Sequence, residues 1–392
     1  MISVDEALAR VLALAPPIRT EEIGLGDALG RVLAEPAVSR ITQPPFDASA
    51  MDGYAVRDAD IGGTLTVIGE AAAGRAFEGR AAPMTAVRIL TGAPVPAGYD
   101  RVVMQENVSR DGDAITVVNT AGGVNIRPAG DDFRMGQTFH PRRRLTAADI
   151  GLLAAMNLSV VRVARRPRVA ILAGGDELVP PGATPGPGQI ISSNDLAIAA
   201  LVQGAGGEPW RLPIARDTTD SLRQALSTAA EADLVVTIGG ASVGDHDLVA
   251  RVAGDLGTAL SFHKIAMRPG KPLLAGTLGN TPLVGLPGNP VSAIVCGILF
   301  VQPLVSAMQG LGQAVRLEAG CLGADMPAEG NRQHYLRARV ERGKDLPVVR
   351  PFDSQDSARL SLMVEADALL VRPADDPARR AGDRVNFIPL RS

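Results

Sequence analysis

Residues 233–247 read DLVVTIGGASVGDHD. Leu234, Val235, Val236 and Ile238 form a short apolar run, the pattern of a strand buried on both faces. Gly239 and Gly240 turn the chain, and DHDLVARVAGDLG (residues 245–257) then has helical spacing. A strand, a glycine turn and a helix, in that order, aim backbone N–H groups and a helix N-terminus at one point. That suits an anion. Neither GxGxxG nor GxxxxGK[ST] is present, so this is not a standard dinucleotide or P-loop turn. The competing reading is a tight turn whose acids cap the helix. Ser242, Asp245 and Asp247 on the same loop favour binding.

The same alternation extends outward from Arg168 to about Gln309. RVAILAG, WRLPIA, ALSFHKIAM and TPLVGL read as strands, and SNDLAIAALVQGAG, DSLRQALSTAAEA and NPVSAIVCGILF as helices. Such alternation predicts a mainly parallel sheet with helices on both faces and ligands outside the carboxyl ends of the strands. Before it, residues 4–14 read as a helix ended by Pro16 and Pro17, and a second short helix is expected near Leu25–Leu33. From Tyr54 to His140 short strands and turns predict a small β-rich domain. Residues 141–166 return to helix and strand, with Thr146 as N-cap of a helix near Ala147–Met156. They are expected to pack with the N-terminal helices. The expected partition is 1–43 plus 141–166 as a helical and extended N-terminal linking domain, 44–140 as an inserted β-rich domain, 167–314 as the α/β domain and 315–392 as a C-terminal β-barrel.

Composition excludes several classes. The 392 residues are 46% apolar and 21% charged, which rules out a wholly disordered chain. A net charge of −3 argues against nucleic acid as a partner. The two cysteines, Cys296 and Cys321, make neither a disulfide framework nor an all-cysteine metal site, and the four histidines lack ligand spacing. MISVDEALAR carries acids where a signal peptide needs basic and then apolar residues, and the run Val291–Val305 is short for a membrane span. The expected location is the cytoplasm, without a membrane partner. Of 39 basic residues only Lys264, Lys271 and Lys344 are lysines, and the first two stand seven positions apart. Lysine offers a compact charge on a mobile stem where arginine offers a rigid fork.

Further motifs fall at strand ends. AGGDEL holds Asp176 and Glu177, which could hold a hard cation or cap a helix. HKIAMRPGKP concentrates Lys264, Arg268 and Lys271 after an apolar strand, between stiffening prolines, and predicts anion binding. LPGNPVSA places Pro287 and Pro290 at a helix start, whose N–H groups could hold phosphate. ISSNDL brings Ser193 and Asn194 to another helix start, where N-capping is the alternative. In the first half, DASAMDGYAV holds Asp47 and Asp52, ILTGAPVP holds Thr91, and NIRPAGDDF holds Arg127, Asp131 and Asp132.

FDASAMDGYAV, ILTGAPVPAG, VVMQENV, NIRPAGDDF, GDEL, SSND, IGGASVGDHD, MRPGKP and LPGNPVSA, in this order, span nearly the whole chain. The chain resembles the MoeA family of molybdopterin molybdenumtransferases, related to the gephyrin E domain. The resemblance implies a molybdopterin-binding type of α/β domain and a homodimer whose active cleft lies between subunits. It implies adenylylated molybdopterin and molybdate as substrates, Mg²⁺ as a divalent cation, and a molybdopterin adenylyltransferase as the upstream donor. It assigns catalytic roles to Asp52, Thr91, Asp132, Asp233, Asp247 and Lys264, and metal ligation to Asp233 and Asp247. Substrate binding falls to Arg127, Glu177, Ser193, Asn194, Gly239, Gly240, Ser242, Gly244, Arg268, Lys271, Pro287 and Pro290. Many relatives carry Lys in place of Arg268, and Ala173-Gly174-Gly175 departs from their hydroxyl-bearing lead into GDE.

These expectations are chemically coherent. Molybdate and a pterin phosphate are anions that Lys264, Arg268, Lys271 and Arg127 can gather. The substrate brings its own thiolates for the soft metal, so the protein needs no cysteine ligands. The expected activity is insertion of molybdenum into adenylylated molybdopterin, with hydrolysis of the adenylyl group and release of AMP. The rivals are the adenylyltransferase reaction, which leaves the extra β domains without a task, and a non-catalytic scaffold on this fold.

Overall fold

A computed structural model describes residues 1–239, 252, 254–255, 257–312, 315–343 and 345–391. It divides into two compact units, one of residues 1–21 with 164–392 and one of residues 22–163.

In the first unit a six-stranded sheet runs in the order Glu208–Arg211, Arg168–Ala173, Leu234–Ile238, Thr281–Leu286, Leu274–Leu278, Thr258–His263. The first four strands are parallel. Leu274–Leu278 is antiparallel to both neighbours, which returns Thr258–His263 to the common direction. The carboxyl ends Ala173, Ile238, Leu286 and His263 therefore share one edge. Alternation along the central strands feeds two cores. Val169, Ile171, Val236 and Ile238 pack towards helices Val4–Leu12, Asn194–Gly204 and Pro290–Cys296. Ala170, Leu172 and Val235 pack towards Leu222 and Leu226 of helix Thr219–Ala229. Pro290–Ala307 is long and apolar enough to cross a bilayer by composition, but 72% of it is buried in the fold, so it is a core helix.

The N-terminal helix packs into the α/β core. It is capped by Ser3, whose side chain accepts from the Glu6 N–H, and it buries Val4, Ala7 and Val11 in the α/β core. Residues 141–166 form the expected helix, Ala147–Ala155, with a capping box between Thr146 and Asp149. They pack on Ala28 and Leu33 of the second N-terminal segment. The second helix shrinks to one 3₁₀ turn, Leu25–Asp27. Gly24, Gly26 and Gly30 surround it, and each glycine costs a helix about 1 kcal/mol.

The second unit holds a six-stranded sheet in the order Arg101–Met104, Gly53–Val56, Thr85–Ile89, Thr64–Ala71, Ala114–Val117, Val108–Asp111. Residues from Glu318 onward form the expected closed barrel. Its five strands are Gln333–Glu341, Val348–Pro351, Glu318–Leu322, Arg384–Pro389 and Ala368–Arg372, and the last pairs back onto the first. Leu322, Leu336, Val349, Leu370 and Phe387 fill it.

Candidate anion-binding site

The motif turns of the α/β sheet converge at its carboxyl edge. Gly239 has φ +84°, and a Cβ there would lie 3.2 Å from the Gly174 carbonyl. Its N–H donates to Leu286 O at 3.1 Å, and the Gly174 N–H donates to Ile238 O at 3.3 Å. Asn194 Nδ2 donates to Gly288 O at 2.7 Å, which ties the SSND helix start to the turn between Pro287 and Pro290. Ser193 makes no side-chain cap. Ser192 donates instead to Asp195, which also accepts from Arg211. Glu177 is exposed, folded over Gly175. Gly240, Ser242, Gly244 and Asp247 lie outside the described residues.

The basic turn stands at the same edge. Lys264 follows strand Thr258–His263 with φ +73°, a left-handed conformation uncommon for a side-chain-bearing residue. Its N–H donates to Leu273 O at 3.0 Å, and the Ile265 N–H donates to Lys271 O at 3.1 Å, closing the loop. Gly270 is obligatory here. Its φ is +110°, and a Cβ would meet Cys296 Sγ at 2.5 Å. Arg268 and Lys271 are exposed. Together with Asn289 and Ser292 they line a cleft of about 380 Å³.

The opposite wall comes from the C-terminal barrel, which sequence reasoning left without a site residue. Arg332, Gln355, Asp356 and Ser357 line it. Arg337, 2% exposed, pins this loop: its backbone N–H, Nε and Nη2 donate to Gln355 Oε1, and Nη1 donates to Asp356 O at 2.7 Å. Ser357 meets the Pro290 helix start, where its carbonyl accepts the Val291 N–H at 3.1 Å and its hydroxyl accepts from Asn289 Nδ2 at 3.3 Å. The cleft thus sets Arg268, Lys271 and Arg332 against one carboxylate, Asp356, beside a helix N-terminus. That field favours a compact polyanion. Reasoning also passed over Asp217. It sits beside Asp176, each backbone N–H donating to the other's carboxylate at 3.3–3.4 Å.

In the second unit the candidate turns are stitched into one patch. Asp52 Oδ1 accepts from the Thr91 N–H and the Thr91 hydroxyl, both at 2.7 Å. These bonds, aided by Arg88, hold the Asp52 carboxyl below the usual carboxylate range. Arg127 pairs with Ala48, and the Ser49 and Ala50 N–H groups reach Ala93 O and Asn125 O. Asp47 accepts from the Ala129 N–H at 2.8 Å, and the Asp132 N–H donates to Gln43 O at 3.1 Å. Asp52, Thr91, Arg127 and Asp132 thus share one set of joined turns.

Asp233 does not join either group. It precedes strand Leu234–Ile238 at the amino end, roughly 16 Å from the carboxyl edge at about 3.3 Å per residue. Its carboxylate accepts from Arg165 at 2.6 Å, from Arg19 at 2.9 Å and from the Arg168 N–H at 2.8 Å. Its charge is already answered. The reading of Asp233 as catalytic acid and metal ligand is therefore corrected: it clamps two chain segments. Among the described residues no group of three or more His, Cys, Asp or Glu side chains could hold a metal ion.

Fold and site together define a multidomain protein whose α/β domain carries a basic cleft at the carboxyl edge of its sheet. Three family models cover it: "MoeA N-terminal region (domain I and II)" over residues 2–157, "Probable molybdopterin binding domain" over 170–307 and "MoeA C-terminal region (domain IV)" over 319–390. A molybdopterin molybdenumtransferase of Nostoc sp. is 35% identical across 100% of this chain and 94% of its own length. One from Haemophilus influenzae is 38% identical over 80% of this chain and 79% of its own. The crystal structure of a molybdopterin biosynthesis MoeA protein from Pyrococcus horikoshii superposes with a TM-score of 0.85, at 29% identity, over 99% of this chain and 100% of that one. The chain belongs to the MoeA family of molybdopterin molybdenumtransferases.

Proposed function

We propose that this chain inserts molybdenum into adenylylated molybdopterin, with hydrolysis of the adenylyl group and release of AMP. The observation that carries this reading is the cleft where Arg268, Lys271 and Arg332 meet the Pro290 helix start. A tetrahedral dianion such as molybdate finds there forked donors from arginine, a point charge from lysine and the positive end of a helix. The turns around Gly239, Gly288 and Asn194 supply backbone polar groups for the pterin phosphate. Glu177 and Lys264 stand on the same edge. Asp52, held ionised by Thr91, offers a fixed carboxylate that can orient water for the hydrolysis. Asp132 and Arg127 share its patch.

Mg²⁺ is part of the proposal through Asp247, because the carboxylate of Asp233 is already taken up by Arg165, Arg19 and the Arg168 N–H. A magnesium site of this kind takes one or two carboxylates and completes itself with substrate phosphates. When bound it would neutralise phosphate charge. The finer organisation is likewise proposed: a cytoplasmic homodimer with its cleft between subunits, fed by a molybdopterin adenylyltransferase, and divided into the four domains 1–43 plus 141–166, 44–140, 167–314 and 315–392.

The test is to incubate the protein with adenylylated molybdopterin and molybdate, isolate the pterin and measure its bound metal. One molybdenum per pterin supports the reading, and a metal-free pterin overturns it.

A further inference from the structure

Behind the cleft three basic residues stand in one row across neighbouring strands. Arg268 pairs with His334 in parallel register, and His334 pairs with Arg372 in antiparallel register. Residues directly opposite in a sheet put their side chains on one face. The row passes from solvent to interior. Arg268 is exposed and lines the cleft, His334 is 6% exposed, and Arg372 is fully buried. Arg332, also in the cleft wall, lies two positions before His334.

Two acids answer the row. Glu329 Oε1 and Oε2 lie 3.1 and 3.2 Å from His334 Nδ1. Asp376 accepts from Arg372 and from Arg379. Arg372 Nη1 is buried without a hydrogen-bond partner, and the one acid that answers Arg372 is shared with Arg379. Burial disfavours a proton on His334, Glu329 favours it, and Arg268 and Arg372 oppose it. The imidazole is thus held neutral partly by the arginine that faces the cleft.

We propose that His334, with Glu329, is a proton-linked positioning residue for Arg268, so that anion binding in the cleft and protonation of His334 are coupled. The inference rests on reading the cleft as an oxyanion site. A dianion on Arg268 cancels the charge that opposes His334 protonation. By linkage, a proton on His334 then strengthens the hold on the dianion by the same factor. Proton uptake accompanies binding, and affinity rises as pH falls through the range below the ordinary imidazole value of about 6.5.

The experiment is calorimetric titration of the full chain with molybdate at pH 7.5 and pH 6.0, in two buffers of different ionisation enthalpy. Sulfate, which takes up no proton in this range, serves as a second probe. Wild-type protein should bind both anions more tightly at pH 6.0, by about twofold to threefold, and take up a fraction of a proton. His334→Gln should bind with no pH slope beyond that of the buffer controls and no proton uptake. Glu329→Gln should move the rise in affinity to lower pH, which keeps the test alive if His334→Gln fails to fold. An equal slope and equal uptake in wild type and His334→Gln, with binding still weakened by Lys271→Ala, overturns this inference and leaves the oxyanion site standing. No molybdate binding by wild type at either pH overturns both.

Discussion

Asp52 and Thr91 form a two-donor clasp: one carboxylate oxygen of Asp52 accepts both the backbone N–H and the hydroxyl of Thr91, each at 2.7 Å. The hydroxyl is one of the groups that lowers the Asp52 carboxyl. Thr91→Val removes it while keeping the shape and the backbone donor. Asp52 must be ionised to orient water, so losing the donor raises its titration and moves the acid limb of AMP release to higher pH. Asp52→Asn should cost about 100-fold or more in turnover at every pH. A Thr91→Val acid limb that stays in place would exclude this role for the clasp.

The cleft cations make a second prediction. Lys271→Ala and Arg332→Ala should each weaken molybdate binding about 10- to 100-fold, the worth of one charge-assisted hydrogen bond. Added salt should reproduce part of the loss in wild type. Equilibrium dialysis at low and high ionic strength is the measurement. Unchanged affinity in Arg332→Ala would remove the barrel wall from the site.

Asp233→Asn separates clamp from catalyst. The carboxylate is shared by Arg165, Arg19 and the Arg168 N–H. Weakening it should cost roughly 1–3 kcal/mol, a fall in Tm of several degrees for a unit of this size. Turnover below the melting range should stay within about twofold of wild type. Full stability with abolished turnover would restore Asp233 to the active site.

Gly270→Ala tests the basic turn as a shape. The new methyl would have to displace Cys296 Sγ and sit at φ +110°. The predicted outcome is loss of most anion affinity together with destabilisation. Gly279→Ala also has positive φ, +57°, but finds open space, and it should leave affinity intact. Equal binding by the two variants would contradict the requirement.

The α/β domain was legible because its central strands are uninterrupted apolar runs and its turns carry Gly, Pro and acids at fixed offsets. Leu234–Ile238 and the Thr146 cap read directly from residue type. The barrel wall of the cleft was not legible. Arg332 reaches Arg268 only through the pairing of residues 267–268 with 333–334, a contact that no local spacing encodes. Chain order already puts Asp233 before Leu234, at the amino end of its strand and away from the ligand edge. What the sequence does not show is its partners, the Arg168 N–H and the side chains of Arg19 and Arg165. The N-terminal helix was legible as a helix, but which core receives Val4, Ala7 and Val11 is a property of the tertiary fold.

The most direct test of the central claim is AMP release from adenylylated molybdopterin by the purified protein with Mg²⁺, measured with and without molybdate. The account predicts AMP release that depends on molybdate and falls with Asp52→Asn. AMP release indifferent to molybdate, or adenylylated pterin formed from ATP with no AMP released from it, would contradict the account.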